Sequence, residues 1–456
     1  MKKSIIPFLV AILVSCNSAQ SDQNGSVIEQ EEPLVKIPEK MIWFTDAKLG
    51  IFIHWGIYAV DGTAESWAFF NDEVPYDKYM KQAEGFTASK YDPTEWAALF
   101  KEAGAKYAVL TSKHHDGVAL WDTKYSDLNV VDFTPAGRDL LTPYAEALRA
   151  EGLKVGLYFS HLDWSQPDYA SIVPPGMEDS EDRNKFAYPP KGEEDEEAWT
   201  RFLEFHRGQI TEIMELFNPD LFWFDGDWER TPEQFKMEEL REYILSEKPH
   251  AILNSRMGGY GDYATPEQGV PINAVDGPWE LCMTINDNWG FRHSDLNFKS
   301  PRQVIQTFAE CIGQGGNLLL DIGPKEDGTI PEEQVTVLKE LGEWIRKHEE
   351  AVYPTERGLP FGHFYGPSTL NETKDVIYLY LLDVPKEYVT LKGIRNGIKQ
   401  IRVVGTDRIL SSKKLGGAAW QNIPGILYID VPKDVIDKYI TVLAVELEGE
   451  LDLYHN

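Results

Sequence analysis

The chain has 456 residues and a formal net charge of −30. This length suits one large domain followed by a smaller one. A strongly acidic surface repels phosphate backbones and anionic lipid headgroups, which argues against nucleic acid as a partner and favours a neutral substrate. Aromatic residues make up 12% of the chain, a share compatible both with sugar rings stacking on flat side chains and with an aromatic core.

The first sixteen residues have the pattern of a bacterial lipoprotein signal peptide. Lys2 and Lys3 supply positive charge, and Ile5–Val14 is an apolar run too short to span a bilayer. The segment Leu13–Cys16 resembles a lipobox, in which the signal is removed before a cysteine that carries the lipid. We therefore expect an exported bacterial lipoprotein, periplasmic or on the cell surface, that meets the membrane only through Cys16. An ordinary signal peptide containing a cysteine is the alternative.

Residues 17–37 are polar and lack periodicity, which predicts a flexible tether. Residues 38–352 then alternate short apolar runs with amphipathic stretches, as expected of a (β/α) barrel similar to the TIM barrel. The predicted strands are rich in β-branched or aromatic residues: Gly50–Trp55, Tyr107–Thr111, Val155–Phe159, Leu221–Phe224, Ala251–Leu253, Trp279–Thr284 and Asn317–Ile322. The predicted helices are Pro93–Ala103, Asp139–Ala150, Glu196–Phe217, Pro232–Ser246, Pro301–Cys311 and Pro331–Glu350.

The sequence pattern changes after residue 352. Residues 353–456 contain short strand-like runs separated by turn residues and show no helical period, which predicts a C-terminal antiparallel β-sandwich. Apart from Cys16, the chain contains only Cys282 and Cys311. Buried free thiols are the favoured interpretation, although one disulfide is compatible with the sequence.

Polar side chains follow five consecutive predicted strands. Catalytic groups of barrel enzymes lie at the carboxyl ends of the strands, so these side chains are predicted to share one site. They are His54 at the end of the first strand, His114 and His115 after the second, Tyr158 at the end of the third and His161 after it, Asp225 and Asp227 after the fourth, and Arg256 after the fifth.

Three of these segments carry a resemblance to a known family. Lys48–Gly56, Ser112–Gly117 and Trp223–Trp228 resemble segments of the α-L-fucosidases of glycoside hydrolase family 29. The resemblance extends over residues 43–350, and a β-sandwich after the barrel is also expected of that family. It implies a retaining enzyme that removes terminal α-L-fucose from fucosylated oligosaccharides or glycoconjugates, without a cofactor.

Asp225 is the candidate nucleophile. It is the first acid after a nearly continuous apolar strand, so its carboxylate is expected to point into the mouth of the barrel. Retaining glycosidases need such a carboxylate and a second carboxyl group about 5 Å away that acts as acid and then as base. The resemblance also places the nucleophile on Asp225. Asp227 is the alternative, although Gly226 indicates that the chain is already turning there.

Two glutamates compete for the acid/base role. Glu267 lies in the predicted loop Gly258–Pro271, which can reach across the barrel mouth. Glu280 begins the predicted strand Trp279–Thr284. The family resemblance supports a glutamate on this loop in several members and also a Trp-Glu pair like that of Glu280. Glu267 is favoured, and Glu280 remains open as the acid/base or as a buried structural carboxylate.

The resemblance assigns the sugar hydroxyls to His54, His114 and His115, with Tyr158 and Arg256 nearby. Imidazole can donate or accept a hydrogen bond at either nitrogen, which suits this role. A metal site built from the same histidines is the competing interpretation. Adjacent residues in a strand point to opposite faces, which argues against it, so no metal ion is predicted.

The methyl group of fucose requires an apolar wall. Trp67, Trp223 and either Trp289 or Phe291 are the candidates. The family often has Glu-Trp directly joined after the first strand, whereas here Ser66 separates Glu65 from Trp67. This departure puts the role of Glu65 in doubt and weakens the assignment of Trp67.

The sequence is compatible with two alternative functions. A different retaining exo-glycosidase on the same barrel, a β-galactosidase or hexosaminidase, would share the two carboxylates but not the segment Lys113–Gly117. A non-catalytic glycan-binding protein would most simply have lost one acid, whereas Asp225, Glu267 and Glu280 are all present. Within the family, Phe224–Trp228 and Gly137–Leu140 resemble the branch with relaxed leaving-group choice more than the branch restricted to α1,3/4-fucosyl linkages.

Overall fold

The computed structural model describes residues 37–181, 183–273 and 275–454. The predicted signal peptide, Cys16 and nearly all of the predicted tether lie outside the described residues. Residues 37–456 form one compact unit. None of the helices in the described ranges is long and apolar enough to cross a membrane.

Parallel strands form a curled sheet with the order β5-β4-β3-β2-β1-β7-β6. The strands are β1 Leu49–Ile53, β2 Tyr107–Lys113, β3 Lys154–Ser160, β4 Leu221–Asp225, β5 Ile252–Leu253, β6 Glu280–Thr284 and β7 Asn317–Ile322. Apart from Lys154, every residue in these strands is buried. Such continuous burial is expected where side chains fill the barrel on one face and helices cover the other.

Helices precede, separate and follow these strands, and the longer ones form the outer layer. The helices are α1 Ile42–Ala47, α2 Trp67–Phe70, α3 Tyr76–Met80, α4 Pro93–Glu102, α5 Leu141–Ala150, α6 Glu196–Phe217, α7 Pro232–Phe235, α8 Met237–Glu247, α9 Pro301–Gly313, α10 Glu332–Lys347 and α11 Glu349–Val352. The predicted helix Pro232–Ser246 is interrupted at Lys236, whose φ of 52° places it in the left-handed region. It therefore becomes two helices.

An irregular segment, residues 263–267, fills the gap between β5 and β6. Isolated parallel bridges join Tyr263 to Asn254 on one side and Glu267 to Cys282 on the other. The Cys282 amide donates to the Pro266 carbonyl at 3.1 Å. The predicted loop Gly258–Pro271 is therefore attached to the barrel wall in this part. The segment acts as an incomplete strand, and this attachment to the barrel wall fixes the position of Glu267.

Helix α1 closes the amino end of the barrel. Its Phe44 ring lies 4.4 Å from Tyr263 and 5.9 Å from Tyr107, measured between ring centroids. The Asn317 side chain, at the start of β7, donates to the Phe44 carbonyl at 2.7 Å and accepts from the Lys48 amide at 3.1 Å. These contacts fill the amino end, so a ligand cavity can form only towards the carboxyl ends of the strands.

The C-terminal part is a sandwich of two antiparallel sheets. One sheet has the order β12-β15-β10-β9-β8 and the other β11-β14-β13. Their strands are β8 Thr355–Arg357, β9 Ser368–Asn371, β10 Val376–Leu381, β11 Tyr388–Leu391, β12 Ile398–Val403, β13 Ser412–Leu415, β14 Ile426–Asp430 and β15 Thr441–Leu447. Leu379 and Leu443 of the larger sheet share a core with Leu427 and Ile429 of the smaller. The predicted fold class, a barrel followed by a β-sandwich, is confirmed.

The sandwich packs directly against the barrel helices. The Trp344 indole on α10 donates to the Ile440 carbonyl at 2.9 Å, and Arg302 on α9 donates to the Leu382 carbonyl at 2.5 Å. Both parts belong to the same compact unit. The boundary after residue 352 therefore stays a prediction.

Candidate active site

The carboxyl ends of the barrel strands surround a cavity of about 180 Å³. Its lining residues are Phe52, His54, Glu65, Trp67, His114, His115, Tyr158, Trp223, Asp225, Trp228, Arg256, Glu267 and Trp289. The structure thus brings together the side chains predicted for the site with four exceptions. The residues that do not line the cavity are His161, Asp227, Glu280 and the alternative Phe291. Segments far apart in the sequence meet here because parallel strands all point their carboxyl ends to the same side of a barrel.

Asp225 is the last residue of β4 and lies at the cavity wall. Its Oδ1 accepts a hydrogen bond from Arg256 Nη1 at 2.8 Å, and its Oδ2 accepts one from the Tyr158 hydroxyl at 3.0 Å. The residue is 8% exposed. These two donors, one of them charged, fix the orientation of the carboxyl group.

The chain turns immediately after this residue. Gly226 has a φ of 89°, and a Cβ atom there would lie 2.3 Å from Leu162 Cγ, so the position requires glycine. Asp227 lies beyond the turn and is not among the cavity-lining residues. Its Oδ2 instead accepts from the Gly258 amide at 2.9 Å. The turn predicted from Gly226 is present, and it directs Asp227 to the loop after β5.

Arg256 joins the two carboxylates of the cavity. Its Nη2 donates to Glu267 Oε2 at 2.6 Å while Nη1 donates to Asp225. The guanidinium carbon lies 4.6 Å from the centre of the Trp223 ring. Burial alone lowers the pKa of Arg256, but Asp225 and its hydrogen bonds raise it above the usual value, so the cation is retained.

Glu267 marks the open side of the cavity. Its side chain is 42% exposed, whereas that of Asp225 is 11% exposed. Because adjacent nitrogens of one guanidinium bind both groups, the two carboxylates are close neighbours. This arrangement favours the spacing of about 5 Å typical of retaining glycosidases over the wider spacing of inverting ones.

Glu280 lies beneath the cavity. It is fully buried at the amino end of β6, where its carboxyl group accepts from the Trp223 indole at 3.0 Å and from the Tyr107 hydroxyl. Burial raises the pKa of Glu280 to about 7, and the hydrogen bonds from Tyr107 and Trp223 oppose this shift. Its contact with the Trp223 indole, outside the cavity, fits the alternative interpretation that Glu280 is a buried structural carboxylate.

Three histidines form one side of the cavity. His54 follows β1, and its Nδ1 lies 2.7 Å from Oδ1 of the buried Asp321 on β7. His114 Nδ1 and His115 Nδ1 each lie 2.6 Å from a serine hydroxyl, that of Ser66 and of Ser160 respectively. Burial lowers the pKa of all three rings well below the usual range, so all three are neutral at pH 7.

His114 and His115 both reach the cavity, although neighbouring strand residues were expected to face opposite sides. Strand β2 already ends at Lys113, after a register irregularity beyond Thr111. The two rings therefore sit in a turn, with their centroids 4.1 Å apart. An irregularity of this kind re-aims side chains at the rim of a barrel.

The expectation of opposite faces was the argument against a metal ion, and it does not hold here. Among the described residues, no group of three or more His, Cys, Asp or Glu side chains has an arrangement that could hold a metal. The sequence prediction of no metal stays a prediction. Cys282 and Cys311 are both buried free thiols, as favoured from the sequence.

Aromatic rings complete the cavity. Trp289 lies 5.0 Å from His54 between ring centroids, and Phe52 packs 4.8 Å from Trp223. On the open side the Trp67 ring lies 6.2 Å from Trp228, nearly parallel to it. The alternative Phe291 does not line the cavity.

Sequence reasoning missed several residues of the site. Phe52 and Trp228 were not predicted, Glu65 was doubted, and Asp321 was not considered. Phe52 and Asp321 were detectable in principle, because strand side chains alternate: Phe52 precedes His54 by two positions, and Asp321 is the only acid within β7. Glu65 accepts a hydrogen bond from the Gly290 amide, and burial raises its pKa. That contact joins segments 225 residues apart and has no local sequence signal.

Comparisons with known proteins decide the family. The model of the family described as α-L-fucosidase matches residues 14–350. The chain belongs to the α-L-fucosidase family. An α-L-fucosidase of Dictyostelium discoideum is 29% identical over 430 residues, which cover 86% of this chain and 87% of that protein.

Solved structures of α-L-fucosidases share the whole architecture. Isoenzyme 1 from Paenibacillus thiaminolyticus is 33% identical with a TM-score of 0.80, over 90% of this chain and 99% of its own. A family 29 α-L-fucosidase from Bacteroides thetaiotaomicron is 27% identical with a TM-score of 0.78, over 92% and 97%. The predicted family and the predicted glycoside hydrolase class are confirmed.

Because Glu280 is a buried acid with a raised pKa, the stability of the folded protein should depend on pH. Its folded pKa of about 7 exceeds the ordinary 4.5, so the folded state holds the proton more tightly than the unfolded state. The stabilisation is complete below pH 4.5 and is lost as the pH rises to about 7, a change of about 3 kcal/mol. Glu280→Gln, which resembles the protonated acid, should lack this change.

Urea unfolding of wild type and Glu280→Gln at a series of pH values measures the difference. The wild type should lose stability relative to the variant between pH 4.5 and 7. A difference that is constant over this range would show that Glu280 is ionised in the folded protein.

Proposed function

We propose that this chain hydrolyses terminal α-L-fucose from glycans as a retaining exo-glycosidase acting by double displacement. The observation that carries the proposal is the pair Asp225 and Glu267, bound to one guanidinium in a cavity lined by neutral histidines. Family membership supports fucose as the sugar. A glutamate-to-glutamine mutant of the Bacteroides thetaiotaomicron enzyme, trapped as a covalent intermediate with 2-fluoro-fucosyl fluoride, supports a two-step reaction on this fold.

In the first step Asp225 attacks the anomeric carbon. Hydrogen bonds from Arg256 and Tyr158 hold its carboxyl group in a fixed orientation. The attack transfers negative charge from the carboxylate to the departing oxygen, which therefore needs a proton when it belongs to a sugar. The product of this step is a fucosyl ester of Asp225.

Glu267 supplies that proton and removes one from water in the second step. The side chain of Glu267 is 42% exposed and lies against Arg256. A bound sugar covers this carboxyl group and excludes water from the proton transfer. The departed sugar then leaves room for the water that hydrolyses the ester.

The remaining walls recognise the fucose ring. His54, His114 and His115 offer ring nitrogens to its hydroxyl groups, while Trp289 and Trp223 offer flat apolar surfaces to its methyl group and C–H face. A closed amino end suits removal of terminal residues. The alternatives, a β-galactosidase, a hexosaminidase or a non-catalytic binding protein, are not favoured, since both carboxylates are in place and the relatives are α-L-fucosidases.

Replacing the nucleophile tests the first step. Asp225→Ala should lower kcat on 4-nitrophenyl α-L-fucoside by at least about 10³-fold, because the covalent step is lost. Added azide should restore part of the turnover by occupying the space of the carboxylate. Asp227→Ala serves as the matched control, since Asp227 lies outside the cavity. A larger loss in Asp227→Ala than in Asp225→Ala would transfer the role to Asp227.

Leaving-group chemistry separates Glu267 from Glu280. Nitrophenolate departs almost without a proton, whereas a sugar alkoxide does not. Glu267→Gln should therefore lose activity on a fucosylated oligosaccharide by roughly 10²–10⁴-fold, the usual contribution of a positioned acid. Formation of the fucosyl-enzyme from 4-nitrophenyl fucoside should lose far less. The ester should then accumulate and lower both kcat and KM.

Glu280→Gln is the control for this experiment, because Glu280 touches Trp223 rather than the cavity. It should lose similar factors on both substrates and keep the basic limb of the pH profile, which Glu267→Gln should flatten. The reverse pattern would assign the acid/base role to Glu280.

We also propose that the protein is exported and anchored through a lipid on Cys16, at the periplasmic side or the cell surface. The proposal rests on the lipobox-like sequence Leu13–Cys16 and the polar stretch that follows. Two or more acyl chains give stable membrane attachment, unlike one. Expressed with its native leader in a bacterial host, the wild type should incorporate a labelled fatty acid and fractionate with membranes. Cys16→Ala should do neither, and an unlabelled wild type would contradict the anchor.

A further inference from the structure

The neighbouring His114 and His115 are held by serines whose own hydrogen bonds differ. His114 Nδ1 lies 2.6 Å from Ser66 Oγ, and His115 Nδ1 lies 2.6 Å from Ser160 Oγ. Both serines are fully buried, so no solvent competes for their hydroxyl protons. A hydroxyl group has a single proton to donate, and the remaining contacts of each serine decide where it goes.

The hydroxyl proton of Ser160 is used in a hydrogen bond to a backbone carbonyl. Its hydroxyl donates to the Leu162 carbonyl at 2.8 Å, and a carbonyl can only accept. The contact between Ser160 and His115 therefore requires His115 Nδ1 to be the donor. Since burial keeps the ring neutral, Nε2 of His115 carries no proton and can only accept.

Ser66 is in the opposite situation. Its oxygen accepts a hydrogen bond from the Asp116 amide at 2.8 Å. Within the described ranges, His114 Nδ1 is the only acceptor in hydrogen-bond contact with its hydroxyl. The Ser66 proton therefore points to His114 Nδ1, so this neutral ring carries its own proton on Nε2.

We infer that Ser66 and Ser160 are positioning residues that hold the two adjacent histidines in opposite tautomers, so that His114 donates a hydrogen bond to the bound sugar and His115 accepts one. The inference rests on the proposed function for the nature of the ligand. The tautomers themselves follow from protein contacts alone. Which nitrogen of a histidine is protonated is set by the partner of the other nitrogen.

The assignment affects the nucleophile. His115 Nε2 lies 3.8 Å from Asp225 Oδ2. Without a proton, it does not add a third donor to a carboxylate that already has Tyr158 and Arg256. Instead it accepts a hydrogen bond from a sugar hydroxyl placed next to the reacting carbon, which selects a ligand with a hydroxyl group there.

Nuclear magnetic resonance of protein with isotope-labelled histidine side chains tests the tautomers without any substrate. Long-range proton–nitrogen correlations distinguish Nδ1–H from Nε2–H rings, and His114→Gln and His115→Gln identify the two signal sets. The wild type should show His114 as Nε2–H and His115 as Nδ1–H. The same tautomer in both rings, or the two assignments exchanged, would overturn the inference even if no serine variant folds.

Serine variants then test the cause. Ser160→Ala should shift His115 towards Nε2–H and leave His114 unchanged, whereas Ser66→Ala should change His114 alone. Ser112→Ala is the matched control, since this buried serine on β2 donates to the Tyr158 carbonyl and contacts neither ring. If either variant leaves its histidine signals unchanged, its serine does not set the tautomer.

Kinetics link the tautomers to the substrate. Ser66→Ala and Ser160→Ala should each lower kcat/KM on 4-nitrophenyl α-L-fucoside by up to about tenfold, the usual effect of one neutral hydrogen bond, whereas Ser112→Ala should stay within about twofold. Competitive inhibition by free fucose analogues measures this hydrogen bond, because fluorine next to the reacting carbon slows bond cleavage by itself. An analogue with fluorine in place of the hydroxyl at His115 should bind as weakly as one with hydrogen there, because fluorine cannot donate. If fluorine is tolerated there, His115 is a donor. A wild type inactive on every fucoside would instead refute the proposed function, and the spectra would still decide the tautomers.

Discussion

The site depends on one cation held between two carboxylates. Arg256 binds Asp225 with one terminal nitrogen and Glu267 with the other. Two neighbouring carboxylates without a cation between them would repel each other. The positive charge of the guanidinium offsets this repulsion, so both carboxyl groups can share the cavity.

The support for Arg256 continues down the barrel axis. Its guanidinium lies over the Trp223 ring, and the Trp223 indole donates to the buried Glu280. Glu280 also binds Tyr107 at the start of β2. A column of contacts thus runs from the floor of the barrel to the nucleophile. Each member is fixed by packing, which is what a preorganised charged site requires.

Much of this arrangement was predictable from the sequence, because the end of a strand can be recognised from a few neighbouring residues. Polar residues at or just after the ends of buried strands identified His54, Asp225 and Arg256. Barrel topology implied that these residues lie close together. What could not be predicted depends on contacts between distant segments. The irregular strand that carries Glu267 lacks an alternating pattern, and it exists only because β6 offers it a partner. The exposed strand β13 likewise shows no apolar alternation.

The closed amino end has a kinetic consequence. With α1 filling that end of the barrel, the cavity communicates with solvent past Glu267 and Trp228, which are the exposed members of its lining. The leaving sugar must depart through the opening that water then enters, and free fucose must leave last by the same route. We therefore expect free fucose to compete with the substrate for the cavity. We also expect a leaving sugar that remains at the opening to compete with water for the ester on Asp225, so that a high concentration of acceptor favours transfer over hydrolysis.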